Sequence, residues 1–307
     1  MRNAGVLALA AVLLVSCQPR EDLGRAELAD TWQQDVETFF QNRVDRLKEP
    51  QGWMRLAGMY WLEPGENTFG SSAANDVVFP QGFITAQAGV FVYDNEQVTM
   101  QVNADTDVYI DSVRVNDALM FSQDTDPVMA QHGPLSWTVI KREELVGIRL
   151  YNAVNERVDR FTGFDRYPAD STLVVKARLE THEQPVSIPV VNILGQTSQT
   201  PSPGVLHFEI RDERYSLIAL EGGERMFIIL GDETNRTSTY QAGRYLYVDY
   251  PGEGSDYTVI DFNRSYNPPC AYNPYTTCQF PPRQNILPVL VEGGEKRPSE
   301  AYKAENF

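Results

Sequence analysis

The chain has 307 residues, with 26 Lys and Arg against 42 Asp and Glu, a formal net charge of −16. That balance argues against a protein that wraps nucleic acid, because neutralising phosphates requires cationic side chains in excess. The acidity reads as a solvated surface, with binding of cations or cationic polymers as the other use for it.

The first residues form an export signal over 1–16: a positive charge at Arg2, an apolar run from Ala4 to Val15, then Leu14-Val15-Ser16-Cys17. The run is too short to cross a bilayer of about 30 Å, which needs roughly 20 apolar residues. A Leu-x-small-Cys lipobox places the Cys17 thiol for diacylglyceryl transfer and makes it the mature N-terminus. Two or more acyl chains, palmitate among them, hold firmly where one is marginal. Gln18 after the cysteine points to the outer membrane, facing the periplasm. The alternative is an ordinary secretory signal, which would leave one odd thiol in an exported protein. No later segment is apolar enough to span a membrane. The remaining stretch of about 290 residues is enough for one large or two closely packed domains.

Residues 17–50 read as an anchored linker and a strap helix. From Arg25 to Lys48, Leu28, Trp32, Val36, Phe39, Phe40, Val44 and Leu47 recur at spacings of three and four, and Pro50 and Gly52 stop the pattern. After Gly52 the period becomes two. Val90-Phe91-Val92-Tyr93 and Val98 to Val102 flank a turn at Asp94-Asn95, and Trp137 to Ile140 and Leu145 to Tyr151 flank Lys141 to Glu144. Leu173 to Leu179, Gly204 to Ile210, Tyr215 to Leu220, Met226 to Leu230, Arg244 to Val248 and Thr258 to Phe262 continue the series. Many short strands between Gly, Asp and Asn turns predict a mainly β protein: a helix followed by two abutting antiparallel β lobes of sandwich or barrel type. A composition shift over Phe161 to Asp170 divides them into an N-terminal lobe, 51–160, and a C-terminal lobe, 161–307. The tail after Glu295 is polar.

The best-marked enzyme signatures are missing: no Gly-x-Ser-x-Gly elbow, no His-Glu-x-x-His, no P-loop and no complete dinucleotide fingerprint. Asn103-Ala104-Asp105-Thr106-Asp107 opens like a calcium loop, but Val108 stands where Gly is needed and Arg114 where the bidentate Glu belongs. His132, His182 and His207 show no ligand spacing, so neither a zinc centre nor any other metal or cofactor is expected. His207 alternates within a strand, as a packed or surface side chain does.

Polar residues capable of chemistry gather in the last quarter. Asp232, Thr234, Tyr240, Gly243 and Arg244 precede Asp261-Phe262-Asn263-Arg264-Ser265-Tyr266-Asn267-Pro268-Pro269-Cys270. Proline removes donors and restricts the residue before it, while Asn and Arg add hydrogen-bonding groups. Such a run makes either a rigid self-bonded loop or a preorganised site. Cys270 and Cys278 are the pair left once Cys17 is lipidated, and a disulfide is the default in an exported body. A metal–thiolate pair and two free thiols are the alternatives.

The chain resembles the family catalogued as domain of unknown function 1684. The resemblance rests on Gly52-Trp53-Met54-Arg55-Leu56-Ala57-Gly58-Met59-Tyr60-Trp61-Leu62, Gly65 to Ser71 with Asn75-Asp76, and Thr239 to Leu246. It continues through Asp261 to Cys270, Cys278, Pro281-Pro282, Asn285 and Gly294-Glu295. The family supplies no reaction. Asp232-Glu233-Thr234-Asn235 departs from the Ser-Gly pair expected after the Thr. Separately, Gly65 to Asn75 with the hairpin after it resembles the edge of a forkhead-associated sandwich, where loop Gly, Ser and Asn grip a phosphorylated peptide. The same residues serve equally as turn formers, and no Gly-Arg pair precedes Ser71.

The leading expectation is a lipid-anchored envelope protein binding a small polar or anionic ligand in the C-terminal lobe. Arg244 and Arg264 would recognise an anion or carbonyl through their planar forks, with Tyr240, Asp261, Asn263 and Asn267 fixing orientation. The alternatives are a hydrolase or lyase with Asp261 or Asp232 as general base, and a structural envelope protein. The anchoring expectation has a direct check: Cys17→Ser should move the protein from the membrane fraction to the soluble fraction. Unchanged membrane association would show the anchor to be misassigned.

Overall fold

The computed structural model describes residues 23–299. Cys17 and the export segment before it lie outside the described residues.

The protein is mainly β, as its alternating pattern predicts, with a helix packed on the C-terminal lobe. The helix runs over Trp32–Lys48 and buries Trp32, Val36, Phe40 and Leu47, a single stripe at helical spacing. It starts one to two turns later than the apolar periodicity implies. Arg25 is instead bridged to Val175, and Ala26 N donates to Val174 O at 3.0 Å, so the chain before the helix runs extended along a strand. Edge pairing there supplies backbone partners that an extra helical turn would forfeit. Leu28, off the helix, is left exposed.

The N-terminal lobe is a sandwich of two antiparallel-rich sheets. One orders Val77–Val78, Gly65–Gly70, Gly89–Asp94, Gln97–Val102 and Asp117–Phe121 side by side. The other orders Leu56–Trp61, Leu145–Asn152, Leu135–Arg142, Ala130–His132, Val108–Ile110 and Val113–Val115. Alternate residues of both sheets meet in one core built around Trp137, Phe69, Phe79, Phe91, Met100 and Ile148. Phe69 stacks on Phe91 at 4.4 Å, and Phe79 meets Trp137 edge-on at 5.2 Å.

The hairpin predicted around Asp94-Asn95 is present, but its central residues are Asn95 and Glu96, both with positive φ. A two-residue turn of this kind matches the twist of its strands and needs left-handed backbone at both positions. Asp111-Ser112 and Arg211-Asp212 repeat the arrangement without any glycine.

Six antiparallel strands build the C-terminal lobe: Arg244–Asp249, Arg225–Asp232, Glu213–Gly222, Thr197–Ile210, Val174–Val191 and Tyr257–Asp261, in that spatial order. A short seventh strand, Ile286–Leu287, pairs parallel with Gly231–Asp232. The sheet curls until its two edge strands meet, with Thr258 Oγ1 donating to Asp249 O at 2.8 Å, and so it nearly closes as a barrel. Leu206, Phe208, Leu217, Met226, Ile228, Leu246, Ile260 and Phe262 fill the interior.

Two strands are far longer than their apolar runs. Val174–Val191 continues through Pro185 and Pro189, and Thr197–Ile210 begins before Pro201 and Pro203. Past Leu179 this hairpin leaves the barrel as a largely exposed arm, with an irregular register between Thr181 and Val186. Proline is tolerated there because an arm at the sheet margin has few ladder bonds to lose.

Cys270 and Cys278 form a disulfide, their Cα atoms 6.0 Å apart. It closes a turn in which Thr276 Oγ1 donates to Cys270 Sγ at 3.0 Å. Asn273 Nδ2 reaches out of that turn to Trp53 O and Leu56 O, both at 2.9 Å, and so ties it to the N-terminal lobe. Thiol counting on denatured, unreduced protein should find neither cysteine free. Replacing both by Ser should cost about 2.5 kcal/mol in urea unfolding, the loop-entropy value for a ring of about nine residues. Two reactive thiols before reduction would refute the bridge.

Candidate functional site

The Asp261 to Cys270 run begins where a barrel strand ends. Asp261 caps the turn Phe262–Arg264: its carboxylate accepts from Asn263 N at 3.0 Å and Asn263 Nδ2 at 2.9 Å. Its other oxygen accepts from Trp32 Nε1 of the strap helix at 2.9 Å. Phe262 points into the barrel and is fully buried. Asn263 points away from solvent too and clasps Asp170: its Oδ1 accepts from Asp170 N at 2.8 Å and its Nδ2 donates to Asp170 O at 2.9 Å. Arg264 turns outward, 37% exposed, with its buried Nε 3.3 Å from Asp261 Oδ2 and without a hydrogen-bond partner.

Asn267 is buried. Its N–H donates to Glu295 Oε2 at 2.8 Å, and its Nδ2 donates to Tyr272 Oη at 3.0 Å and Lys296 O at 2.7 Å. Glu295 is itself fully enclosed. It also accepts from Tyr272 Oη at 2.9 Å and from Arg43 Nε of the helix at 2.8 Å. Burial, and then the Glu295 charge, push the Tyr272 phenol well above its ordinary range. Arg43 lies over the Tyr266 ring at 4.1 Å, so the helix is pinned by both charge and ring face.

Arg244 departs from its expected role. It is wholly buried, with Nη2 donating to Asp232 Oδ2 at 2.7 Å and to Val291 O at 2.8 Å, and Nη1 donating to Gly293 O. A guanidinium enclosed among these acceptors presents no fork to a ligand. Asp232 is sealed in the same way. One oxygen holds Arg244 while the other accepts from Thr234 N at 2.8 Å and Thr234 Oγ1 at 2.6 Å. It has no free face from which to take a proton from a substrate. Tyr240 belongs to an apolar cluster with Leu47, Met54, Phe161 and Tyr272, and burial raises its pKa.

Asp261 and Arg264 are therefore the two of the predicted residues that share an open cleft. It is a cavity of about 250 Å³ between the helix and the barrel wall. The helix contributes Trp32, Asp35 and Phe39, the wall Arg225, Tyr247 and Asp249, and the segment before the helix Glu27. Arg225 lies over the Tyr247 ring at 4.7 Å. Trp32, Phe39, Arg225 and Tyr247 were not distinguishable in the sequence as site material, since the first two occupy the apolar stripe and the others sit within a strand pattern.

The three histidines are scattered: His132 meets Asp107 O, His182 meets Ser202 Oγ, and His207 lies 3.2 Å from Glu180. Among the described residues no group of three His, Cys, Asp or Glu side chains is placed to hold a metal ion.

The two ion pairs separate structure from site. Asp232→Asn should destabilise the protein by about 3–5 kcal/mol in urea unfolding, because it leaves Arg244 buried and uncompensated. Arg264→Gln, at a pair open to water, should change stability by less than about 1 kcal/mol. Equal effects would mean that the buried pair carries no special burden.

No curated protein matches the chain. Among solved structures, an uncharacterised protein of Haloarcula marismortui matches at 28% identity over 46% of this chain and 80% of that one, with a TM-score of 0.39. The FHA domain of FhaA, complexed with the intracellular domain of Rv3910, matches at 13% identity over 31% of this chain and 94% of that one, with a TM-score of 0.24. A structure from work on phosphothreonine-dependent FHA domain interactions matches at 11% identity over 30% and 92%, with a TM-score of 0.22. Superpositions this partial assign neither fold nor function to this chain. Residues 159–296, which span the seam, the barrel, the Asp261 to Cys270 run and Glu295, match the family described as "Protein of unknown function (DUF1684)".

Proposed function

We propose that this is a lipid-anchored protein of the cell envelope whose C-terminal lobe binds a small polar ligand in the cleft beside Asp261 and Arg264. The observation that carries the reading is the outward turn of Arg264, 37% exposed, paired with Asp261 and set in the wall of an open cleft. The anchoring part rests on the lipobox at Cys17 alone.

The lining refines the ligand's chemistry. Glu27, Asp35, Asp249 and Asp261 face Arg225 and Arg264, so carboxylates outnumber guanidinia. Trp32, Phe39 and Tyr247 add ring faces, which attract cations. This favours a ligand carrying a cationic group beside its polar or anionic one, such as an amino acid or a betaine, over a bare anion.

The hydrolytic alternative loses ground here. Asp261 already accepts three hydrogen bonds, and Asp232 is enclosed. A purely structural role is the competing reading, favoured by the number of clamps made by the same run.

A thermal-shift screen of the full-length chain against amino acids, betaines and sugar acids separates the two. A ligand held only by the folded state raises the midpoint. We expect an amine-bearing compound to do so, and Arg225→Gln and Arg264→Gln each to abolish the rise. No rise with any compound, or a rise untouched by both substitutions, would leave the structural role standing.

A further inference from the structure

A second cavity, of about 300 Å³, lies where the two lobes meet and shares no lining residue with the cleft above. Arg142 and Arg149 line it from the N-terminal lobe, together with Trp53. Asn192, Ser198, Tyr245, Thr277 and Gln279 line it from the C-terminal lobe.

The two arginines come from the paired strands Leu135–Arg142 and Leu145–Asn152. Arg149 lies opposite Thr138, which alternates with Ile140 and Arg142 on one face, so both arginines leave the sheet on the side away from the sandwich core. Arg142 Nε donates to Thr277 Oγ1 at 3.2 Å and Nη1 to Lys141 O at 2.8 Å, which leaves Nη2 unused. The Arg149 guanidinium lies 5.1 Å from the centre of the Trp53 ring, and its buried Nε has no hydrogen-bond partner.

In a chain with 42 carboxylate residues against 26 Lys and Arg, arginines have acidic partners in excess. Exposed and buried arginines elsewhere use them, as Arg43, Arg114, Arg160, Arg166 and Arg244 do. Neither Arg142 nor Arg149 makes an ion pair among the described residues. Glu143 also lines the cavity, but it sits in the exposed turn between the strands and bonds neither guanidinium. Burial lowers the pKa of Arg142, and the positive charge of Arg149 lowers it further, so the pair repels.

We propose that this inter-lobe cavity binds a small oxyanion with two negative charges, phosphate or a dicarboxylate, gripped between Arg142 and Arg149. Two guanidinia on one side of a small cavity match two charged oxygens, and Arg forks suit phosphate and carboxylate alike. Ser198, Thr277 and the Gln279 amide supply neutral donors on the opposite wall. The anion offsets a like-charge contact that no ion pair relieves among the described residues. Because Arg142 also touches the arm, through Gln196 Nε2 donating to Arg142 O at 3.2 Å, occupancy reports on how the lobes are joined.

Isothermal titration of the full-length chain at low ionic strength, with inorganic phosphate in one arm and succinate in the other, tests this directly. At least one should bind with one-to-one stoichiometry, and Arg142→Gln and Arg149→Gln should each weaken it by about tenfold or more. Arg225→Gln, in the other cleft, should leave it unchanged. Melting curves add a readout that a mere brace would not give. Without anion, each substitution should hold or raise the midpoint by removing the repulsion, and each should remove the anion-dependent rise seen in the native chain. Absence of binding by both anions, binding unaffected by either substitution, or a loss of stability that is the same with and without anion would overturn the proposal.

Discussion

A guanidinium with no access to water is the constraint from which the C-terminal lobe takes its form. Moving such an ion out of water costs several kcal/mol even after relaxation, and only close, well-aimed acceptors offset that cost. Arg244 finds its acceptors in Asp232 and in three carbonyls of the segment that follows the disulfide, those of Val291, Gly293 and Glu295. The segment is thereby drawn across the barrel's end. Its position sets Glu295, and Glu295 then gathers Arg43 of the helix, Asn267 of the proline-rich loop and the phenol of Tyr272. Helix, loop and tail are held by two buried charges linked through a few residues of backbone.

That hierarchy explains why the most conspicuous sequence in the chain is mostly scaffold. Asn263 fastens the seam at Asp170, Asn267 reads the tail, and Asn273 reaches the other lobe. Asn263 and Asn273 each donate and accept through one amide, while Asn267 donates twice through its Nδ2. Gly294 belongs to the same construction: its φ is +75°, and a Cβ there would collide with Ser265 O. A polar, rigid, proline-flanked run looks the same in one dimension whether it faces a ligand or its own backbone. Facing inward is decided by the carbonyls of residues 291–296, some 30 positions later, and no local pattern announces them.

Elements governed by local periodicity were legible. The helix stripe, the hairpin around Asn95, and the strands holding Trp137, Phe208 and Ile228 all follow from spacing two or spacing three and four. Illegible parts were those where a long-range partner overrides a local signal. Arg25 and Ala26 open the helical spacing but run along Val174 and Val175, and the arm beyond Leu179 stays extended through four prolines because its neighbour strand does the same. Arg142 reads as part of the turn at Lys141 to Glu144, and Arg149 as one more residue of a strand run. Only the approach of the second lobe turns their face of the sheet into a cavity, and no spacing rule records the approach.

The route of the chain through the barrel has a bearing on how it reaches this state. Strands carrying Asp232 and Arg244 are made well before residues 286–297, which supply the remaining acceptors and the parallel partner of Gly231–Asp232. A nascent chain that has completed its six antiparallel strands still holds a cation without its carbonyls and a barrel end without its cover. One segment, residues 286–297, thus completes both the barrel's end and the shell of the buried cation.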